Sequence, residues 1–159
     1  MEEFEDMEPG ITYRAHPLTF SKPAQTSRDV LYHKPSFLIT ICDKHGRKGV
    51  GECSLIPGLS IESEEEVVSF LETLKANRGI NVREIPHTLP SVRFAVETAL
   101  RSLKRGGEPQ WSGGITINGL VWMDSAEGML KQVDILVNKG FKTIKLKVGT
   151  LPFNEELEM

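Results

Sequence analysis

Thr143-Ile144-Lys145-Leu146-Lys147-Val148-Gly149 is the stretch on which the fold of this chain turns. In a strand, side chains alternate between faces, so Lys145 and Lys147 share one face while Ile144, Leu146 and Val148 take the other. The segment before it carries Met129, Leu130, Val133, Leu136 and Val137 at helical spacing. Asp124 and Glu127 fit a capping box at the start of that helix, and Gly140 fits its stop. Earlier still, Ile115-Thr116-Ile117-Asn118-Gly119-Leu120-Val121 reads as another strand. Strand, helix, strand at this spacing is a βαβ unit, which requires parallel strands.

In a barrel of such units, catalytic groups stand at the carboxyl ends of the strands, which makes Lys145 and Lys147 a candidate acid/base pair. The competing reading is an edge strand with a solvated lysine face. Parallel strands are normally covered on both faces, and lysines held there need a reason, which favours a site.

The 159 residues suit one domain, or one domain and part of another. With 39% hydrophobic and 26% charged residues the chain has the material for a core. A net charge of −3 gives no electrostatic case for binding nucleic acid or an anionic membrane. No apolar run approaches the roughly 20 residues of a membrane span. The acidic start Met1-Glu2-Glu3-Phe4-Glu5-Asp6 is unlike a secretory signal, so a cytoplasmic address is expected.

Cys42 and Cys53 flank a hairpin turning near Lys44-His45-Gly46. Counted out from that turn, Cys42 faces Lys48 or Gly49, and Cys53 faces a residue near Phe37, so no disulfide is expected. His16, His33, His45 and His87 are scattered, without zinc-site spacing, and read as surface or structural residues.

Along the chain, Ile11 to Phe20 reads as a first strand bent at Pro17, and Ser21 to Asp29 as a loop. A second strand begins near Tyr32, richest over Ser36 to Asp43, and Lys48 to Cys53 is the third, giving an antiparallel meander. Gly46, Gly49 and Gly51 lack phosphate-loop spacing and read as close-packed or flexible strand glycines. Ser54 to Ser60 is an apolar loop, in which an exposed Leu55-Ile56-Pro57 patch suggests contact with a substrate or neighbour. Ser63 with Glu66 is a capping box opening a helix whose buried stripe is Val67, Phe70, Leu71 and Leu74. A second helix carries Val92, Ala95, Val96, Ala99 and Leu103 and ends at Lys104-Arg105-Gly106-Gly107.

The pattern changes at Glu108-Pro109, which divides an α+β domain at 1–107 from βα units at 108–159. Too few residues follow for an eight-unit barrel of roughly 250 residues. Such a segment is either a small α/β domain completed by another chain or the front portion of a longer protein.

Ser21-Lys22-Pro23-Ala24, Thr26-Ser27-Arg28, Gly51-Glu52-Cys53-Ser54-Leu55-Ile56-Pro57-Gly58-Leu59 and Thr116-Ile117-Asn118-Gly119-Leu120-Val121-Trp122, with Lys145-Leu146-Lys147, resemble o-succinylbenzoate synthases of the enolase superfamily. The Lys-x-Lys element alone is shared with muconate cycloisomerases and dipeptide epimerases. The resemblance implies an α+β capping domain followed by the first units of a (β/α) barrel, left incomplete. It implies dehydration of 2-succinyl-6-hydroxy-2,4-cyclohexadiene-1-carboxylate to o-succinylbenzoate, with Mg2+ as cofactor. It further implies Lys147 as general base and then acid, with Lys145 assisting through charge. The loops at Ser21 to Asp29 and Ser54 to Ser60 would help choose a small-molecule carboxylate substrate, through Arg28, Leu55 and Ile56.

The family's magnesium ligands lie on the third to fifth barrel strands and its second lysine on the sixth, all beyond Met159. No metal ligand is therefore expected in this chain, nor turnover by it alone, and Glu155, Glu156 and Glu158 are assigned to a helix. The alternatives are a dipeptide epimerase or racemase of the same superfamily, and a non-catalytic capping module.

Overall fold

A computed structural model describes residues 10–25, 29–77, 81–106, 113–149 and 151–158. The chain separates into two compact units, Met1–Thr19 with His33–Trp111 and Phe20–Tyr32 with Ser112–Met159.

The expected first strand is two strands, β1 (Gly10–Ala15) and β2 (Leu18–Gln25), broken at His16-Pro17. Proline has no N–H for a ladder, so the break falls where pairing would be lost. Ser21 to Gln25, expected as loop, continues β2 and pairs with β3 (Val30–Lys34) in a two-stranded sheet. Backbone pairing with β3, not side-chain periodicity, makes this polar segment a strand, which is why the pattern did not reveal it. Thr26, Ser27 and Arg28 lie outside the described residues.

In the first unit, β4 (Ser36–Cys42) lies between β1 and β5 (Lys48–Ser54), antiparallel to both. This is the expected meander. Cys42 pairs with Lys48 and Cys53 with Phe37, so the two cysteines are unopposed, and both are free. The Asp43 carboxylate closes the β4–β5 turn, accepting from the N–H groups of His45 and Arg47 at 2.9 Å each, while Gly46 supplies φ 78°.

Helix α1 (Glu64–Ala76) opens on the expected capping box: Glu66 N–H donates to Ser63 Oγ at 3.2 Å and Ser63 N–H to Glu66 Oε2 at 2.8 Å. Between the helices lies a short 3-10 turn, Val82–Glu84. Helix α2 (Pro90–Arg105) ends at Gly106 in the left-handed region, φ 80°. It lies against β5 so closely that a Cβ on Gly49 or Gly51 would overlap the carbonyls of Ala99 or Ala95. Those two glycines are packing devices. The core they permit holds Ile39, Ile41, Cys53, Val67, Val92, Ala95, Val96 and Ala99, all fully buried. Leu55 is buried with them at 3% exposure, so the expected exposed patch is corrected at that residue, while Ile56 and Pro57 are exposed as expected and Leu59 is exposed beside them. Leu55 N–H is tied to the Pro35 carbonyl beside the sheet, which carries its side chain inward.

The second unit contains the βαβ element. β6 is only Gly119–Val121, and β7 is Ile144–Leu146, parallel to it with Gly119 opposite Ile144 and Val121 opposite Leu146. Ile115 to Asn118, expected as strand, is irregular, because the ladder with β7 covers three residue pairs only. Helix α3 (Ala126–Asn138) is capped by Ser125, whose Oγ accepts from Gly128 N–H at 3.2 Å. The expected Asp124–Glu127 box is thus shifted by one residue, with Asp124 accepting from Ser125 N–H at 2.7 Å. Gly140, at φ 85°, follows the helix as expected. Met129 is buried and Leu136 lies over Gly119, but Leu130 and Val137 stay 47% and 57% exposed, so two of the five residues of the expected stripe are uncovered. After β7 comes α4 (Phe153–Glu158), which carries Glu155, Glu156 and Glu158.

The architecture is an α+β capping domain, a meander plus helices, followed by the opening βα units of a (β/α) barrel. Two parallel strands do not close a barrel.

Candidate active site

Lys145 and Lys147 stand at the carboxyl end of β7. Lys145 is the middle residue of the strand, opposite Leu120, and is exposed. Lys147 follows the last strand residue and is half-buried, with its N–H donating to the Val121 carbonyl at 3.1 Å. That bond extends the ladder past Leu146 and keeps the alternation running, so the two lysines fall on one face. Neither forms an ion pair among the described residues. The exposure of Lys145 differs from the covered environment expected of a parallel strand. Its cause is the two-stranded sheet: the opposite face is open as well, with Leu146 and Val148 at 45% and 54% exposure. Exposure therefore follows from strand number here, and position at the strand's carboxyl end is what marks the lysines.

The loop after β7 is held by Glu156, whose Oε1 accepts from the N–H of Gly149 at 2.6 Å and of Leu151 at 3.2 Å. That carboxylate is spent on backbone amides. The loop after β6 is held by Gln132, whose amide accepts from Trp122 N–H at 2.8 Å and donates to the Trp122 carbonyl at 3.1 Å. The Gln132 contact carries no motif; its ten-residue separation is visible only once α3 is folded back onto β6.

The Ser54–Ser60 loop belongs to the first unit. Its turn is closed by Ile56 N–H on Ser60 Oγ at 2.9 Å and Ser60 N–H on the Ile56 carbonyl at 2.9 Å, presenting Ile56 at 37% exposure. The loop is followed by buried Glu62, another group that the sequence did not reveal. Helix α2 has no side-chain cap of its own at Leu89, and Glu62 accepts from Ser91 N–H in its first turn at 2.8 Å. Burial by itself would raise the Glu62 carboxyl, but hydrogen bonds from the Ser91 hydroxyl and amide, and from its own N–H, outweigh it and hold the carboxyl below its usual range. Cys53 Sγ lies 3.2 Å from Ser91 Oγ. Burial pushes its thiol up, with Ser91 pulling the other way and the negative Glu62 and Glu52 adding to the rise. A raised, buried thiol is a core residue and not a nucleophile. His16, His33, His45 and His87 are all exposed.

Comparison with known proteins shows what these elements resemble. No family model matches the chain. It is 31% identical to the o-succinylbenzoate synthase of Desulfotalea psychrophila, over 92% of this chain and 51% of that protein. Its fold matches the crystal structure of o-succinylbenzoate synthase from Thermosynechococcus elongatus, complexed with magnesium in the active site, with a TM-score of 0.78, 24% identity and coverage of 93% of this chain and 45% of the other. It also matches a substrate-liganded L-Ala-D/L-Glu epimerase from Bacillus subtilis, with a TM-score of 0.74, 24% identity and coverage of 92% and 46%. The chain spans about half the length of the proteins it matches. Over that length the chain is similar in sequence to an o-succinylbenzoate synthase and in fold to the two enzymes above.

Proposed function

We propose that this chain supplies the capping domain (1–107) and the first barrel units (108–159) of an enzyme that dehydrates 2-succinyl-6-hydroxy-2,4-cyclohexadiene-1-carboxylate to o-succinylbenzoate, in menaquinone biosynthesis. The observation that carries the reading is the Lys145-Leu146-Lys147 element at the carboxyl end of a parallel strand, in a chain 31% identical to an o-succinylbenzoate synthase. Lys147, as the free amine, takes the proton α to the carboxylate. The resulting ammonium then gives that proton to the departing hydroxyl, which leaves as water. One C–H and one C–O bond break, a ring double bond forms, and the ring becomes aromatic. Lys145 favours the negative charge that develops on the substrate. Arg28 pairs with a substrate carboxylate, Ile56 offers apolar contact, and the buried Leu55 anchors its loop.

Magnesium is the cofactor of this proposal, by likeness to the relative whose structure holds it in the active site. Among the described residues no group of three or more His, Cys, Asp or Glu could hold a metal. Because the family pattern puts the metal ligands and the second lysine on later barrel strands, residues 1–159 alone are proposed to be inactive. Magnesium-dependent formation of o-succinylbenzoate by the purified chain would overturn that statement. The lysine assignment is tested separately, by Lys147→Met in the whole-length enzyme, which loses turnover at least about a thousandfold if it is the base and a few-fold at most if it is a solvated surface residue.

The second reading, a dipeptide epimerase or racemase, is favoured by the fold likeness to the B. subtilis epimerase. Assay of both substrate types separates the two. A non-catalytic module is favoured by the closed core of the first unit, and a chain that melts cooperatively yet forms no product when completed by barrel strands would select it. The proposed address is the cytoplasm, supported by the two free cysteines. Among the described residues no helix is long and apolar enough to cross a membrane.

A further inference from the structure

The point on β6 that receives Lys147 runs directly into Trp122, and one side chain satisfies both backbone polar groups of that residue. The Gln132 amide accepts from Trp122 N–H at 2.8 Å and donates through Nε2 to the Trp122 carbonyl at 3.1 Å. A primary amide carries an acceptor and a donor at nearly the spacing of a peptide group, so Gln132 serves Trp122 as an adjoining strand would. One residue back, fully buried Val121 accepts Lys147 N–H at 3.1 Å. Lys147 stands just past the end of β7, where the ladder with β6 makes its last bond. Its main-chain position is therefore set by Val121, and Val121 is held by its burial on one side and by the clamped Trp122 on the other. A three-residue strand has little else to fix its end.

We infer that Gln132 is a positioning residue for Lys147, acting through the Trp122 and Val121 backbone. The inference deepens the proton-transfer reading of Lys147 and rests on it for its catalytic meaning. A base displaced by about 1 Å loses on the order of a hundredfold in rate, so a clamp on the strand that carries it bears on the reaction without touching substrate.

The test is hydrogen exchange and side-chain NMR on the chain itself. Gln132→Ala raises the amide exchange rates of Trp122 and Lys147 about tenfold and moves the Lys147 ε-methylene signals, while the amides of Val67 and Val96 and the signals of Lys139 keep their parent values. Gln132→Glu keeps an acceptor for Trp122 N–H but loses the donor to its carbonyl, and gives rates between those of the parent and the alanine variant. If Trp122 exchange rises in Gln132→Ala while Lys147 is unchanged in both readouts, the clamp ends at Trp122 and the inference is overturned. It is also overturned if neither residue responds. Should alanine unfold α3, the folded Gln132→Glu variant decides, a parent-like Lys147 counting against the inference and a shifted one for it. None of these readouts involves chemistry. They fail or succeed whatever Lys147→Met does to turnover, so this inference and the reading beneath it can fall separately.

Discussion

The two units of this chain use similar elements and reach opposite ends of burial. The first places helices on an antiparallel sheet and drives Ile39, Ile41, Val67, Val92 and Val96 to complete burial. The second places one helix on two parallel strands, buries Val121 and Met129, and leaves Leu120, Leu130, Ile135, Val137 and Leu146 at 40% exposure or more. An antiparallel sheet can bury one face against helices and leave the other wet; a parallel sheet needs cover on both. The first unit therefore closes on three strands, while the parallel β6–β7 pair of the second is left open. The sharpest way to break this comparison is a matched pair of truncations. Ile39→Ala should cost about 4 kcal/mol, since it empties a fully buried site, and Leu130→Ala should cost no more than about 0.5 kcal/mol. Urea unfolding of both variants measures the difference, and equal losses would mean that the second unit has a core of its own.

Next in size is Gly51→Ala. The new methyl would overlap the Ala95 carbonyl, which is helix backbone and cannot swing aside, so α2 must lift from β5. We expect a loss of about 3 kcal/mol, at the upper end of what overpacking usually causes. Gly46→Ala in the turn meets no atom but sits at φ 78°, and its cost of about 1 kcal/mol reports backbone strain alone. A ranking of the two by thermal denaturation that came out reversed would contradict the close approach of α2 and β5.

What could be read before folding follows the same division. The Val92, Ala95, Val96, Ala99 and Leu103 stripe and the Ser63–Glu66 box were legible because each depends on neighbours one helical turn away. The Cys53–Phe37 register was legible because a tight turn fixes pairing outward from Gly46. Ser21 to Gln25 was not, since its strand state comes from pairing with β3. Leu55 was misjudged because a loop leucine beside Pro57 looks exposed until the sheet edge takes it in. At the candidate site, the lysine pair was visible as an alternation. Gln132 and Glu62 were not, because each acts on backbone far along the chain and no local pattern marks such a contact.

Glu62 sharpens the comparison by pH. Burial would raise its carboxyl, but the Ser91 hydroxyl and amide and its own N–H outweigh this and lower it. The folded state then holds this proton less tightly than the unfolded chain. Its contribution is complete above the unfolded carboxylate pKa, about 4.3, and is lost as pH falls through the depressed folded value. At neutral pH, Glu62→Ala should cost about 2 kcal/mol, because Ser91 loses a charged acceptor at the start of α2. Glu62→Gln keeps an acceptor without the charge and should flatten the fall in melting temperature between pH 5 and about pH 3 relative to the parent. An unchanged acid slope in that variant would place the acid sensitivity elsewhere, in the Asp43 turn for instance, whose carboxyl is also lowered.

The smallest effect is the most discriminating about the second unit. With little tertiary burial, α3 leans on local terms: the Ser125 cap and the Glu127–Lys131 pair, spaced i,i+4 with 2.6 Å between charged atoms. Both side chains are well exposed, so the pair is worth about 0.3–0.5 kcal/mol and is screened by salt. In α1 the corresponding exposed pair, Glu72–Lys75 at 3.4 Å, sits on a helix already pinned by Val67 and Leu71. Lys131→Ala should therefore speed amide exchange in α3 about twofold at low salt and not at high salt, whereas Lys75→Ala leaves α1 unchanged. Equal responses from the two helices would mean that α3 is held as firmly by packing as α1. The contrast between a closed core and an open one would then have to be given up.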